Sequence, residues 1–233
     1  MQSHRCMKDL PIFSTLNADE RNRIGELAGK KLYRKGEHIF HEGEPADTIY
    51  LIKYGRIKLY KVSPGGKEVI LSILASDDMF GENTFFDHAQ HTLHAQALED
   101  TYICSCNREH FALLLQNPGT ALKIIQLLGE KLNSYSNQVA SIAFQDVKGR
   151  VSATLLRLAG QYGVITPEGT AIDIELTHYD LAALVNASRV MVSNVIGDLR
   201  NEGAIANKGH RFILLDTEKL NVENTLYRTD VQS

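Results

Sequence analysis

Apolar side chains recur on two different periods along this chain, and the change of period divides it. From Lys31 onward they come in short alternating runs: Lys31 to Tyr33, His38 to His41, Thr48 to Lys53, Arg56 to Val62, Glu68 to Leu74, Asp78 to Phe80 and His94 to Cys106. Turn residues stand between them, among them Lys35-Gly36, Glu42-Gly43-Glu44, Tyr54-Gly55, Pro64-Gly65-Gly66, Ala75 to Asp78 and Asp87 to Gln90. Alternation predicts half-buried strands, and regular breaks predict an antiparallel barrel or sandwich. From Asn117 to Phe144 the period lengthens. Ala121, Ile125, Leu128, Leu132, Tyr135, Val139 and Ile142 follow at spacings of four and three, a heptad seam down one face of a long helix. Pro118 suits its first turn, where a missing N–H costs nothing. So narrow a stripe either packs on the chain's own first domain or meets a partner helix, most simply that of a second copy.

Before the strands, Leu10 to Leu27 reads as a short helical prelude with Arg21, Arg23 and Glu26 on its wet face. After the long helix, Asp146 to Gln161 predicts a second helix through Val151, Leu155, Leu158 and Ala159, stopped by Gly160 or Gly163. Ile172-Asp-Ile-Glu-Leu176 alternates as one short strand. Thr177 is a good N-cap for a helix through Tyr179, Leu181, Ala182, Leu184 and Val185, broken at Asn186-Ala187, where asparagine tolerates a left-handed turn. Ser188 caps a further helix from Arg189 to Glu202, with Val192, Val195, Ile196 and Leu199 inward and Gly203 as its stop. Two helices joined by so tight a turn make a helix-turn-helix, and Ala204 to Leu215, turning at Lys208-Gly209-His210, adds a two-stranded wing. The fold class is α+β: a β-roll sensor domain over 1–116, a dimerisation helix over 117–144 and a winged helix-turn-helix over 145–233.

A chain of 233 residues is longer than one small core needs, which fits that division. Its net charge of −3 confines any nucleic-acid surface to a local patch. Ser188 to Arg211 supplies one: Arg189, Arg200, Lys208 and Arg211 against Asp198 and Glu202, four minus two, an excess of two positive charges. The polar, basic start from Met1 to Lys8 lacks a signal core, and no apolar run approaches bilayer length, so a soluble cytoplasmic protein without a membrane partner is expected. Three cysteines, Cys6, Cys104 and Cys106, are too few and too odd for a disulfide framework.

Several motifs in this order resemble the cyclic-AMP receptor/FNR family of bacterial transcription regulators, over nearly the whole chain. They are Gly43-Glu44-Pro45 and Gly55-Arg-Ile-Lys58 in the roll, Phe80-Gly81-Glu82 at the effector loop, Asp146-Val-Lys-Gly-Arg-Val151 at the junction and Leu176 to Ile205 in the reader. The resemblance implies an effector-responsive homodimer that inserts the 189–202 helix of each copy into the major groove of near-palindromic DNA. On that helix Arg189 suits guanine, Asn194 adenine and Val190 a thymine methyl, with Ser193 on the same face and Ser188 at the cap. Thr177, His178, Lys208, His210 and Arg211 are placed for phosphates. Family members commonly carry Glu at the place of Val190 and Arg at that of Asn194, so the usual half-site does not transfer.

In cyclic-nucleotide binders of this family a Gly-Glu pair opens the phosphate cassette, and an arginine about ten residues on takes the cyclic phosphate. Here Gly81-Glu82-Asn83 is kept, but Gln90-His91-Thr92 puts His91 where that arginine would fall. A neutral imidazole offers one donor and no charge, so cyclic AMP is not expected as effector. Tyr135 and Ser136 stand where the family closes the pocket across the dimer. The remaining lining is Gly81, Glu82, Asn83, His91 and Thr92, and the effector stays open. Iron–sulfur members cluster three cysteines near the N-terminus, where this chain has Cys6 alone, so a cluster is not expected. Haem is the open alternative cofactor, through His88, His91 or His94. A constitutive repressor without a ligand is another. Thr166-Pro-Glu-Gly169 resembles the family's contact region for the RNA polymerase α subunit. Catalysis would need more than His38 with His41, or His91 with His94, as metal ligands: no third ligand stands beside them and no nucleophile motif appears.

Overall fold

The computed structural model of the protein describes residues 13–14, 16–19, 26, 28–85 and 88–220. Most of the prelude expected over 10–27, together with Cys6 and Asp87, lies outside them. Two compact units emerge, Met1–Tyr135 and Ser136–Ser233, so the division falls inside the long helix rather than at either of its ends.

Among the described residues of the first unit eight strands form two antiparallel sheets. One runs β1 (Gly29–Tyr33), β8 (Thr101–Asn107), β3 (Thr48–Tyr54), β6 (Met79–Phe80); the other runs β2 (His38–Phe40), β7 (His94–Ala97), β4 (Ile57–Val62), β5 (Glu68–Leu74). Alternate residues of both sheets point inward: Phe40, Ile52, Ile57, Leu59, Phe80, Ala95, Ala97 and Ile103 make one core cluster. Ile49, Leu51, Met79, Cys104 and Cys106 make a second, joined by Phe13 and Leu16. The run expected as one strand from His94 to Cys106 is two strands in different sheets. The chain crosses between them at Leu98-Glu99-Asp100, where Asp100 accepts from the Lys35 N–H at 3.1 Å and from Arg34 at 2.6 Å. A helix the strand pattern did not announce, α1 (Arg108–Leu115), follows β8 directly, and Asn107 caps it by accepting from the His110 N–H at 2.9 Å.

The long helix α2 spans Pro118–Phe144. Two apolar rows run along it. Ile124 is buried in the roll core with Leu127 and Leu128 packed beside it. The row that begins one residue later, about 100° round the helix, stays open: Ile125 is 62% exposed, Leu132 66% and Val139 68%, with Leu122 at 60%. Along the expected seam the surroundings in the single chain divide. Ile125, Leu132, Val139 and Ile142 are exposed, whereas Leu128 packs on its own domain and Tyr135 is half-buried.

In the second unit α3 (Val147–Tyr162) is capped by Asp146, which accepts from the Gly149 N–H at 2.7 Å. Its helix passes through Gly160 and ends at Gly163. The short strand expected over 172–176 is not one. Strands β9 (Gly163–Thr166) and β10 (Gly169–Ile172) form a hairpin instead, its turn at Pro167-Glu168, and residues 173–176 continue outside any strand. There Ile172, Ile174 and Leu176 alternate into the core, while backbone bonds go to Tyr162 and His210. Helices α4 (His178–Leu184) and α5 (Arg189–Asn201) follow. Asn186 takes the left-handed φ of 49° the turn requires. The wing, β11 (Ile205–Lys208) and β12 (Arg211–Leu214), joins the hairpin in a single antiparallel sheet ordered β11-β12-β10-β9. A final turn of helix, α6 (Thr217–Leu220), closes the described chain.

Candidate DNA interface and effector site

In the second unit each helix start is fixed by its own side chains. Thr177 and Asp180 cap α4 reciprocally, the Asp180 N–H donating to Thr177 Oγ1 at 3.1 Å and the Thr177 N–H to Asp180 Oδ2 at 2.9 Å. Ser188 caps α5 by accepting from the Met191 N–H at 3.2 Å. Arg150 holds the end of α4, donating to the Val185 carbonyl at 2.8 Å and to that of Gln145 at 2.7 Å. On α5, Val192, Ile196 and Leu199 are buried, which turns Arg189, Val190 and Asn194 to solvent.

Ser193 stands apart from these three. It is half-buried, and its hydroxyl lies 2.9 Å from Nδ1 of His178, so its first partner is the neighbouring helix. Lys208, His210 and Arg211 are exposed on the wing. Lys208 pairs with Glu168 at 2.8 Å and Arg211 with Asp173 at 3.2 Å. Both acids lie outside the segment Ser188 to Arg211, so the local positive excess is smaller than the sequence implies.

In the first unit Gly81 makes the effector loop. Its φ is 90°, and a Cβ there would come 2.7 Å from the Thr48 carbonyl oxygen, so only glycine fits. Glu82 and Asn83 follow in a 3-10 turn, Glu82–Phe85. Asn83 ties the loop to its far side, donating to the Gln90 carbonyl and to Thr92 Oγ1, both at 3.1 Å. Glu82 is met by a residue of the long helix: Lys131 Nζ lies 3.0 Å from Glu82 Oε1 and donates to the Met79 carbonyl at 2.8 Å. Its signal was positional, since Lys131 and Tyr135 are four apart and share a face. Tyr135 is half-buried, and burial first and Glu82 second raise its pKa.

His91 is turned into the roll. It is 4% exposed, and its ring stacks 3.6 Å from that of Phe40 at an interplanar angle of 5°. Burial depresses its pKa and so favours the neutral ring in the place expected of a phosphate-binding cation. Ser136 is exposed and falls in the second unit.

The three histidines weighed as haem ligands have separate surroundings. His91 stacks on Phe40, His94 stacks 5.0 Å from Tyr60, and His88 occupies a turn at φ 52°. His38 Nε2 lies 2.9 Å from the Tyr60 hydroxyl, with the His41 ring centroid 4.3 Å from its own. Among the described residues no group of three or more His, Cys, Asp or Glu side chains is arranged to hold a metal ion. Cys104 and Cys106 are buried, and burial pushes the Cys106 thiol up to about 11, far from the thiolate a cluster needs.

Residues 30–117 match the cyclic nucleotide-binding domain and residues 149–222 the Crp-like helix-turn-helix domain. A "CRP-like cAMP-activated global transcriptional regulator" of Mycobacterium tuberculosis is 33% identical over 81% of this chain and 84% of its own. The "Cyclic AMP receptor protein" of Thermus thermophilus is 30% identical over 85% of this chain and 89% of its own. The chain belongs to the cyclic-AMP receptor/FNR family. This family comprises transcription regulators, and its helix-turn-helix unit is the part that binds DNA. Among solved structures, FixK2 from Bradyrhizobium japonicum shares the fold at a TM-score of 0.74 and 21% identity, over 84% of this chain and 96% of that one. At the effector loop of this chain His91 is buried and Glu82 is paired with Lys131. Among the described residues no helix is long and apolar enough to cross a membrane.

Proposed function

We propose that the chain is a homodimeric, effector-responsive transcription regulator of the cytoplasm that reads near-palindromic DNA with the helix at 189–202. The reader helix carries this reading. Its capped N-terminus presents Arg189, Val190 and Asn194 outward while the opposite face is buried. Val190 is 69% exposed, an apolar surface that a thymine methyl would cover. Thr177, Ser188, Lys208 and His210 would hold phosphates around it.

The open row on α2 supports a second copy as the dimer partner. Burying each large side chain of that row would contribute about 1.5–3 kcal/mol. Two reader helices would then stand about one DNA turn apart. An effector near Glu82, Asn83 and Tyr135 would act by shifting the paired long helices. Cyclic AMP is not that effector in this reading, because the cassette lacks its cation and its carboxylate is occupied. The same occupancy favours a second reading, a regulator active without any ligand. RNA polymerase is the partner we assign to the hairpin tip at Thr166-Pro-Glu-Gly169, beside which Ile165 is 90% exposed. A catalytic role is not proposed.

The test is selection of bound sequences from random duplex DNA, with and without a cell metabolite extract. An inverted repeat enriched in either arm supports the reading, and dependence on the extract separates the two versions. Enrichment of no sequence at all would overturn it.

A further inference from the structure

Three elements of the DNA-binding unit meet at one imidazole. His178 opens α4, its Nδ1 lies 2.9 Å from Ser193 Oγ on the reader helix, and its ring stacks 6.4 Å from that of Phe212 on the wing. The wing turn is pinned beside it through the backbone, the Leu176 N–H donating to the His210 carbonyl at 2.8 Å. The ionisable side chains that act on the ring from the packed elements are basic: Arg189 and Arg200 on α5, and His210 on the wing turn. On its own helix Asp180 is engaged at the cap with Thr177. Burial first, and then those three neighbours, hold its pKa below the usual histidine value.

A neutral imidazole has one donor nitrogen and one acceptor. When the Ser193 hydroxyl donates to Nδ1, the ring proton sits on Nε2, and Nε2–H is the donor left for a group outside the protein. We propose that His178 couples DNA binding to proton uptake: Ser193 orients the imidazole, Nε2–H takes a backbone phosphate of the duplex, and that phosphate draws a second ring proton from solvent. The Ser193 hydroxyl then rotates from donating to accepting. In the free protein this proton would add positive charge beside Arg189 and Arg200, whereas a bound phosphate relieves it. Ser193 is thus a positioning residue, and the inference rests on the DNA reading proposed above. The bound state holds more protons than the free state, so affinity rises as pH falls, with a slope up to roughly one proton per half-site.

The experiment measures affinity for a mixed-sequence duplex between about pH 6 and about pH 8 at fixed ionic strength. Wild-type protein is expected to bind several-fold more tightly at the acid end. His178→Gln should flatten the slope, Ser193→Ala should shrink it, and His210→Gln should keep it. As a readout that needs no variant, the Cε1 proton of His178 should titrate at higher pH in the complex than in the free protein. A slope absent in wild type, unchanged in His178→Gln, or lost only in His210→Gln overturns the proton coupling and leaves the DNA reading standing. No binding to duplex at any pH overturns both.

Discussion

Lys131 on the long helix and Glu82 at the head of the effector loop form an ion pair, Nζ to Oε1 at 3.0 Å, and the same ammonium donates to the Met79 carbonyl. The Glu82 carboxylate thus already has a cation from its own chain. Calorimetry with cyclic AMP at neutral pH should show no tight binding. Lys131→Met should cost about 1–2 kcal/mol of stability, discounted because both partners are partly exposed. Tight cyclic AMP binding by the unmodified protein would remove this reading of the loop.

On the DNA side, base reading and phosphate holding separate by their response to sequence. Arg189→Ala should cost about 1–3 kcal/mol and relax preference at one base pair. Lys208→Ala should weaken all duplexes alike and lower the salt slope by about one. Glu168→Gln, which releases Lys208, should act in the opposite direction. Binding titrations at several salt concentrations on matched and mismatched duplexes distinguish these outcomes.

The two rows on the long helix make opposite expectations for chemically identical changes. Leu128 packs against the roll core, so Leu128→Ala should lower stability by about 1–2 kcal/mol and leave association unchanged. Leu132 is open in the single chain, so Leu132→Ala should weaken association and leave protomer stability nearly intact. Denaturant melts with sedimentation on both variants check the pair. A seam through Leu128 would reverse the two results.

Acid should destabilise the protein earlier than its carboxylates alone would. Burial depresses the pKa of His91, and burial with nearby His41, His94 and Lys58 depresses that of His38. The unfolded chain, with histidines near about 6.5, then binds more protons than the folded one, so stability falls as pH drops below that value. Asp78, raised by burial, carries the opposite sign, in a window that starts from the ordinary carboxylate range. Melting temperatures at about pH 5.5 and about pH 7.5 test this, and His91→Phe, which keeps the stack on Phe40 without a titrating group, should narrow the difference.

The alternation that announced the roll and the caps at Thr177 and Ser188 were legible because each is written in local chemistry. What misled was local chemistry serving two elements at once. Asn107 ends β8 and caps α1, and Gly163 ends α3 and begins β9, so no turn marks either boundary. The alternation of Ile172, Ile174 and Leu176 reports which side is buried, not whether a strand lies alongside. On the long helix the period was plain, but the sequence holds two apolar rows, and only packing shows which one the roll takes. Lys131 was hidden in the same way, since a lysine among polar neighbours shows its carboxylate partner only once the loop is folded against it.

The central claim is that two copies pair through the open row on the long helix and so set the spacing of two reader helices. Sedimentation equilibrium on a duplex carrying one selected inverted repeat tests it most directly. Two chains per duplex, with the free protein already dimeric, is the expected result. One chain per duplex from a monomeric protein would contradict it.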